Sequence, residues 1–139
     1  MADRESTTLV RRAVEEIWNR GELAVADELF ASDYINHFGL IPNLVCGPEA
    51  IKISVALYRM AFSDFQITIN ELTAKRDAVL LRWTARSSRA QGTLTGILVS
   101  RIASGHIAES WMQWDQAGAL KGFGLRHAQA RGSACIPFG

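Results

Sequence analysis

The chain has 139 residues, of which 48 % are hydrophobic and 21 % charged, so it can bury the core of one domain without covalent staples. Fifteen basic residues against fourteen acidic ones leave a net charge of +1, which excludes a chain-wide electrostatic footprint for nucleic acid. Residues 1–8 are polar, unlike a secretory signal, and no apolar run is long enough to span a bilayer. We therefore expect a cytoplasmic protein with no nucleic-acid or membrane partner.

Two cysteines, Cys46 and Cys135, lie far apart in the sequence. Neither belongs to a CxxC motif or has a histidine cluster beside it, so neither a zinc site nor a disulfide framework is indicated. We expect two reduced structural thiols and no bound metal.

The first half of the chain predicts three helices. Apolar residues recur at helical spacing from residue 9, and Gly21 stands where a helix C-cap is expected. Residues 22–31 continue as a short second helix, and residues 32–47 lose periodicity and are predicted to be a loop. Pro48 then supplies a favoured first residue for a third helix that extends to about residue 62 and is apolar on most of its circumference.

The second half predicts strands, because the spacing of apolar residues changes to period two at residue 65. Strands are expected at 78–89, 93–103 and 106–116, and Ser104-Gly105 is a plausible two-residue hairpin turn. Helices followed by strands favour an α+β fold with an antiparallel sheet over alternating α/β units. A curved sheet capped by three N-terminal helices forms a cone, and the mouth of such a cone is a common place for a ligand.

Several short motifs in this order resemble the SnoaL-like polyketide cyclase family. They are residues 19–23 (NRGEL), 33–37 (DYINH), 47–51 (GPEAI), 62–65 (FSDF), 77–84 (DAVLLRWT) and 105–111 (GHIAESW), closed by Trp114-Asp115. The resemblance covers about residues 8–125. It is specific because all of these motifs occur in the same order as in the family. It implies the cystatin-like α+β barrel of the nuclear transport factor 2-like superfamily, a single domain over residues 1–125, a tail at 126–139, and a homodimer formed through the sheet.

The resemblance also implies a reaction. Cyclases of this family close a ring on a polyketide ester by intramolecular aldol condensation, without metal or cofactor, and use a carboxylate that matches Asp115. Trp111, Gln113 and Asp115 share one face of a predicted strand, so the acid is expected beside an indole and an amide. Such neighbours would raise its pKa towards the range useful for proton transfer. The alternative is that Asp115 ends the strand and caps the following turn.

The sequence departs from the family at two places. Arg101 stands where the cyclases have a histidine, and an arginine can hold an anion or an enolate oxygen but does not shuttle protons near neutral pH. The segment 87–99 is shorter than usual and lacks the Gly- and Pro-rich excursion that rims the pocket.

Further site residues are expected around the cavity. His37 follows Tyr34 in the predicted loop near the expected cavity, and histidine is a common general acid or base, which suggests a catalytic role; the alternative is a loop histidine bonded to backbone. In a hollow cone some core aromatic residues must line the cavity. The candidate ligand contacts are Trp18, Phe30, Tyr34, Arg82, Trp83, Trp111 and Gln113.

Two other enzyme types of the superfamily have known site residues that can be compared with this sequence. Limonene-epoxide-hydrolase-like enzymes use an Arg-x-Asp pair, but here Thr84 follows Arg82 and Trp83, so one acid is missing. Ketosteroid-isomerase-like enzymes need an early acid, a tyrosine in the first helix and a late acid, whereas this chain has Trp18, His37 and Asp115. Whether the chain is an enzyme at all stays open, since a non-catalytic carrier of an apolar small molecule fits the same pattern.

Two expectations concern the ends of the domain. Apolar residues on both faces of the last strands, such as Ile97 and Val99 against Leu98, predict that a second copy covers the outer sheet surface. The tail shows no periodicity, so deleting residues 127–139 is expected to leave the melting temperature nearly unchanged.

Overall fold

The computed structural model describes residues 3–37, 45–88, 93–114 and 136–137. Helix α1 (Asp3–Arg12) continues as a π-helical segment (Ala13–Asn19), and a 3-10 turn (Leu23–Val25) leads into the short helix α2 (Ala26–Leu29). After strands β1 (Phe30–Asn36) and β2 (Val45–Cys46) comes helix α3 (Pro48–Ala61). Four strands follow, β3 (Gln66–Lys75), β4 (Ala78–Arg86), β5 (Leu94–Ala103) and β6 (His106–Trp114), and β7 (Ile136–Pro137) is the last described element.

Local sequence signals place the boundaries of these elements. Gly21 ends the first helix with φ of +74° and donates its backbone N–H to the carbonyl of Ile17, as predicted for a C-cap. Pro48 is the first residue of α3, also as predicted. Ser104 and Gly105 both have positive φ, which is the geometry that a two-residue hairpin turn between β5 and β6 requires.

The five main strands lie in the order β1-β6-β5-β4-β3. β3 to β6 form the predicted antiparallel meander, but β1 pairs with β6 in parallel, so the sheet is mixed. The segment Phe30–Asn36 was predicted as the end of a helix and part of a loop, and that assignment is wrong. Buried and exposed residues do not alternate strictly along this strand, because its pairing with β6 shifts register between Phe30 and Ile35. A bulge of this kind interrupts the period of two from which a strand is predicted.

The core lies between the helices and the concave face of the sheet. Its fully buried side chains include Ile17, Leu29, Ile51, Val55, Val79, Leu81 and Leu94. The fold is α+β with an open, curved sheet, as expected for a nuclear transport factor 2-like domain. No helix in the part of the chain described above is long and apolar enough to cross a membrane.

The end of the chain contacts the domain through a second, small sheet. Ile136 and Pro137 pair in parallel with Val45 and Cys46. Cys46 is disulfide-bonded, so the expectation of two reduced thiols is wrong for this residue. The other cysteine of the sequence, Cys135, lies outside the described residues. A cysteine outside a CxxC motif carries no local signal for pairing, which is why sequence reasoning missed the bond.

Candidate ligand-binding site

An apolar cavity opens between the helices and the inner face of the sheet. The π-helical segment and α3 form one wall, and residues of β3 to β6 together with Phe65, just before β3, form the other. The lining residues are Val14, Trp18, Tyr58, Phe65, Ile67, Leu81, Trp83, Leu94, Leu98 and Met112. The cavity volume is about 40 Å³, which is room for roughly three water molecules. An organic ligand therefore needs at least one wall side chain to move.

Aromatic side chains fix the helical wall of this cavity. The indole of Trp18 meets Tyr58 edge to face with ring centres 5.5 Å apart, and Phe65 lies 6.0 Å from Trp18. Burial raises the pKa of Tyr58 to about 12, so its hydroxyl stays protonated at neutral pH. The polar side-chain groups of the described wall are the indole N–H groups of Trp18 and Trp83 and this hydroxyl, and all three can donate a hydrogen bond. The described wall contains no carboxylate and no imidazole.

Several predicted ligand contacts lie on the other face of the sheet. Met112 lines the cavity, so its neighbours Trp111 and Gln113 point to the outer face because side chains alternate along a strand. Both are exposed. Arg82, next to the cavity residue Trp83, is also on the outer face, where its Nε lies 3.9 Å from a carboxylate oxygen of Glu71. The structure thus brings Trp18 and Trp83 together at the cavity but not these three residues.

His37 and Arg101 meet on the outer face rather than in the cavity. Nε2 of His37 is 2.9 Å from Oε2 of Glu109, and Nε of Arg101 donates to Oε1 of the same carboxylate at 2.8 Å. The hydrogen bond to His37 lowers the pKa of Glu109, burial opposes this, and the hydrogen bond to Arg101 lowers it further. The ring of His37 also stacks on Trp111. Glu109, which joins the two predicted residues, was not singled out from the sequence, where it reads as one more polar residue of an alternating strand.

Tyr34 and Phe30 are packed against each other beside α3, outside the cavity lining. Their rings meet edge to face with centres 4.6 Å apart. Tyr34 is fully buried, and its hydroxyl has no well-formed hydrogen bond to the described residues, although the nearby Ser110 hydroxyl offsets part of the rise in its pKa that burial causes. Ser100 and Ser110 lie on the same inner face, with their hydroxyl oxygens 3.5 Å apart. Tyr34 therefore belongs to a buried polar cluster of the core.

A second cleft of about 640 Å³ lies near the start of α3. Phe30 and Arg101 are on its border, together with the acidic residues Asp27, Asp33 and Glu49. It is larger than the apolar cavity, but its border is polar and charged, and Lys52 already pairs with Asp27 and Glu49 beside it. The smaller cavity is the better candidate for an apolar ligand because its lining consists of apolar and aromatic side chains from both layers.

Asp115 lies outside the described residues. Its expected position in the cavity depended on sharing a strand face with Trp111 and Gln113. Since those two residues are on the outer face, that argument no longer places Asp115 at the cavity. Its assignment as the acid/base stands on the motif alone.

Sequence reasoning missed Met112, Leu98 and Tyr58 as wall residues. For Met112 and Leu98 the sequence did contain a signal, because each is an apolar residue next to one that the sequence analysis named. β5 and β6 carry apolar residues on both faces, so alternation divides them into two sets without telling which set faces the helices. For Tyr58, a helix that is apolar almost all round gives the same ambiguity.

The chain belongs to the SnoaL-like polyketide cyclase family, whose model matches residues 8–122. This agrees with the resemblance drawn from the ordered motifs. No curated protein matches the sequence.

Solved structures support the same fold at low sequence identity. TsrD from Streptomyces laurentii superposes with a TM-score of 0.75 and 17 % identity, over 89 % of this chain and 98 % of that one. IdmH from Streptomyces antibioticus, named as a candidate polyketide cyclase, gives 0.70 and 21 %, over 86 % and 99 %. An epoxide hydrolase of the limonene-epoxide-hydrolase type from M. tuberculosis gives 0.65 and 16 %, over 87 % and 90 %. At these identities the likeness establishes the fold and not the reaction.

Proposed function

We propose that this protein binds an apolar small molecule in the cavity between its helices and its sheet. The observation that carries the proposal is the composition of the wall, where ten side chains from both layers are apolar or aromatic and the polar groups are donors. A wall of this kind favours a hydrocarbon skeleton that carries oxygen acceptors over a charged or strongly hydrated ligand. The small volume favours a compact ligand over an extended polycyclic one.

The family suggests that the bound molecule is a substrate. In that case Asp115 would remove a proton from the carbon beside a carbonyl, a carbon–carbon bond would form to a second carbonyl of the same molecule, and the proton would pass to the new alkoxide oxygen. This aldol cyclisation needs no cofactor. The alternative is a non-catalytic carrier, which is favoured by the lack of a carboxylate or imidazole in the described wall.

A thermal-shift experiment with tetralin tests the binding proposal, since tetralin is a compact bicyclic hydrocarbon. A molecule that binds only the folded chain raises its melting temperature. Tetralin should raise that of the unaltered protein but not that of Leu98→Trp, in which a larger side chain fills the cavity. The matched control is Leu57→Trp, on the partly exposed surface of α3, which should respond like the unaltered protein. An equal response of Leu98→Trp would contradict binding at this cavity.

A further inference from the structure

Among the described donors of the cavity wall, the indole N–H of Trp83 is the one for which the structure gives a hydrogen-bond acceptor. This Nε1–H donates to the thioether sulfur of Met112 at 3.1 Å. Both side chains line the cavity from the two strands that flank β5, with Trp83 of β4 opposite Gly96 and Met112 of β6 opposite Leu98, two residues further along β5. A thioether is a weak acceptor, so this N–H has a partner that almost any oxygen acceptor could outcompete.

Gly96 fixes where this N–H points. It lies opposite Trp83 in the β4–β5 ladder, and the indole lies directly over its backbone. A Cβ added at Gly96 would approach Cζ2 of Trp83 to 2.6 Å and the backbone oxygen of Gln113 to 2.9 Å. Any side chain at this position would push the ring away, so the glycine keeps the indole in the wall with its N–H directed towards β6.

Met112 is the wall residue that is best suited to move. Its side chain is unbranched, with three rotatable bonds, and adapts to irregular space at low cost. It is partly exposed, whereas Trp83 is 4 % exposed and Leu81 1 %. Since the cavity of about 40 Å³ cannot take an organic ligand unchanged, displacement of Met112 is the least costly way to enlarge it.

We infer that Trp83 is the donor that selects the ligand, that it binds a carbonyl or ether oxygen on an apolar skeleton, and that this oxygen replaces the Met112 sulfur. The inference rests on the proposed function and adds the chemical class of the ligand. It predicts discrimination between two molecules of the same shape that differ by one acceptor oxygen. A net hydrogen bond of about 0.5–1.5 kcal/mol corresponds to roughly two- to tenfold in affinity.

The experiment measures the affinities of 1-tetralone and tetralin by calorimetric titration and compares their ratio among variants. Trp83→Phe keeps an aromatic ring but removes the N–H, and it should reduce the preference for 1-tetralone by about two- to tenfold. Met112→Leu removes the competing acceptor at similar volume, and it should strengthen binding of 1-tetralone more than that of tetralin. Met60→Leu, at a methionine that is 78 % exposed on α3, should leave the ratio unchanged.

The outcomes separate the two proposals. If both molecules bind and the ratio is the same in Trp83→Phe as in the unaltered protein, the role of Trp83 is overturned while the apolar site stands. If neither molecule binds the unaltered protein, the proposed function itself fails and this inference fails with it. Should Trp83→Phe not fold, as judged by circular dichroism, Met112→Leu decides alone, and an unchanged ratio in that variant overturns the inference.

Discussion

The imidazole of His37 lies flat against the indole of Trp111, with ring centres 5.0 Å apart and planes inclined by 4°. His37 directly follows the last residue of β1, Trp111 comes from the middle of β6, and both are on the outer face of the sheet. Stacking and the hydrogen bond to Glu109 together hold a histidine that sequence reasoning placed in a pocket loop. The outer face of the sheet thus carries an apolar strip, formed by Leu80, Val99 and Trp111, beside a hydrogen-bonded cluster of His37, Arg101 and Glu109.

The apolar strip supports the proposal of a homodimer. Leu80, Val99 and Trp111 are aligned across β4, β5 and β6, and all three keep part of their surface exposed. We expect light scattering at micromolar concentration to return twice the mass of the chain. Val99→Lys should return the mass of one chain with unchanged circular dichroism, because a charge would be buried without a partner. Thr68→Lys, on the exposed edge strand, should remain a dimer. A monomer mass for the unaltered protein would contradict the proposal.

The Glu109 carboxylate should make stability depend on pH. Its hydrogen bonds to His37 and Arg101 hold its folded pKa below the ordinary value of 4.5, so the stabilisation is complete above that value and is lost as the pH falls through the folded pKa. Glu109→Gln should lower the free energy of unfolding by about 0.5–1 kcal/mol at pH 7. Denaturant titrations should show this difference shrink towards zero in acid. The control is Glu71→Gln, because the pair of Glu71 with Arg82 is longer and half exposed; it should lower the free energy of unfolding by less. A loss of stability in Glu109→Gln that persists at pH 2 would disprove this account.

The disulfide at Cys46 should contribute to stability, contrary to the expectation that the tail is dispensable. A disulfide restricts the unfolded chain and is typically worth roughly 2–4 kcal/mol. A reducing agent should lower the melting temperature by many degrees, and Cys46→Ser should show the lower temperature without any response to reduction. Equal melting temperatures with and without reductant would restore the original expectation. Deletion of residues 127–139 should match Cys46→Ser.

Asp115→Asn separates the catalytic from the structural role of that residue. An amide cannot exchange protons with a substrate, so any cyclase activity should fall by about two to four orders of magnitude if Asp115 is the acid/base. Stability should then hold or rise. A turn cap behaves in the opposite way, since stability should drop by roughly 1 kcal/mol while turnover and tetralin binding stay unchanged. Turnover and denaturant stability measured on the same preparation decide between the two, and unchanged activity would exclude the aldol mechanism.

The sequence by itself determined the three helices and the four strands that follow them, the start of α3 at Pro48, the hairpin at Ser104-Gly105 and membership of the family, but not β1 and β2. These features follow from local signals, because periodicity, proline and paired residues with positive φ act within a few positions. Of the core aromatic residues that the sequence suggested as cavity residues, Trp18 and Trp83 line the cavity and Phe30 and Trp111 do not; whether they contact a ligand stays a prediction.

Only the tertiary structure decided which face of the sheet looks inward, and therefore that Met112 rather than Trp111 meets the cavity. Period two sorts the residues of β5 and β6 into two sets, but both sets are apolar enough to be covered, and the choice depends on where the helices pack. The parallel pairing of β1 and the contact between His37 and Glu109, 72 positions apart, are likewise long-range. No local pattern encodes them, because they form only when distant segments of the chain meet in the folded sheet.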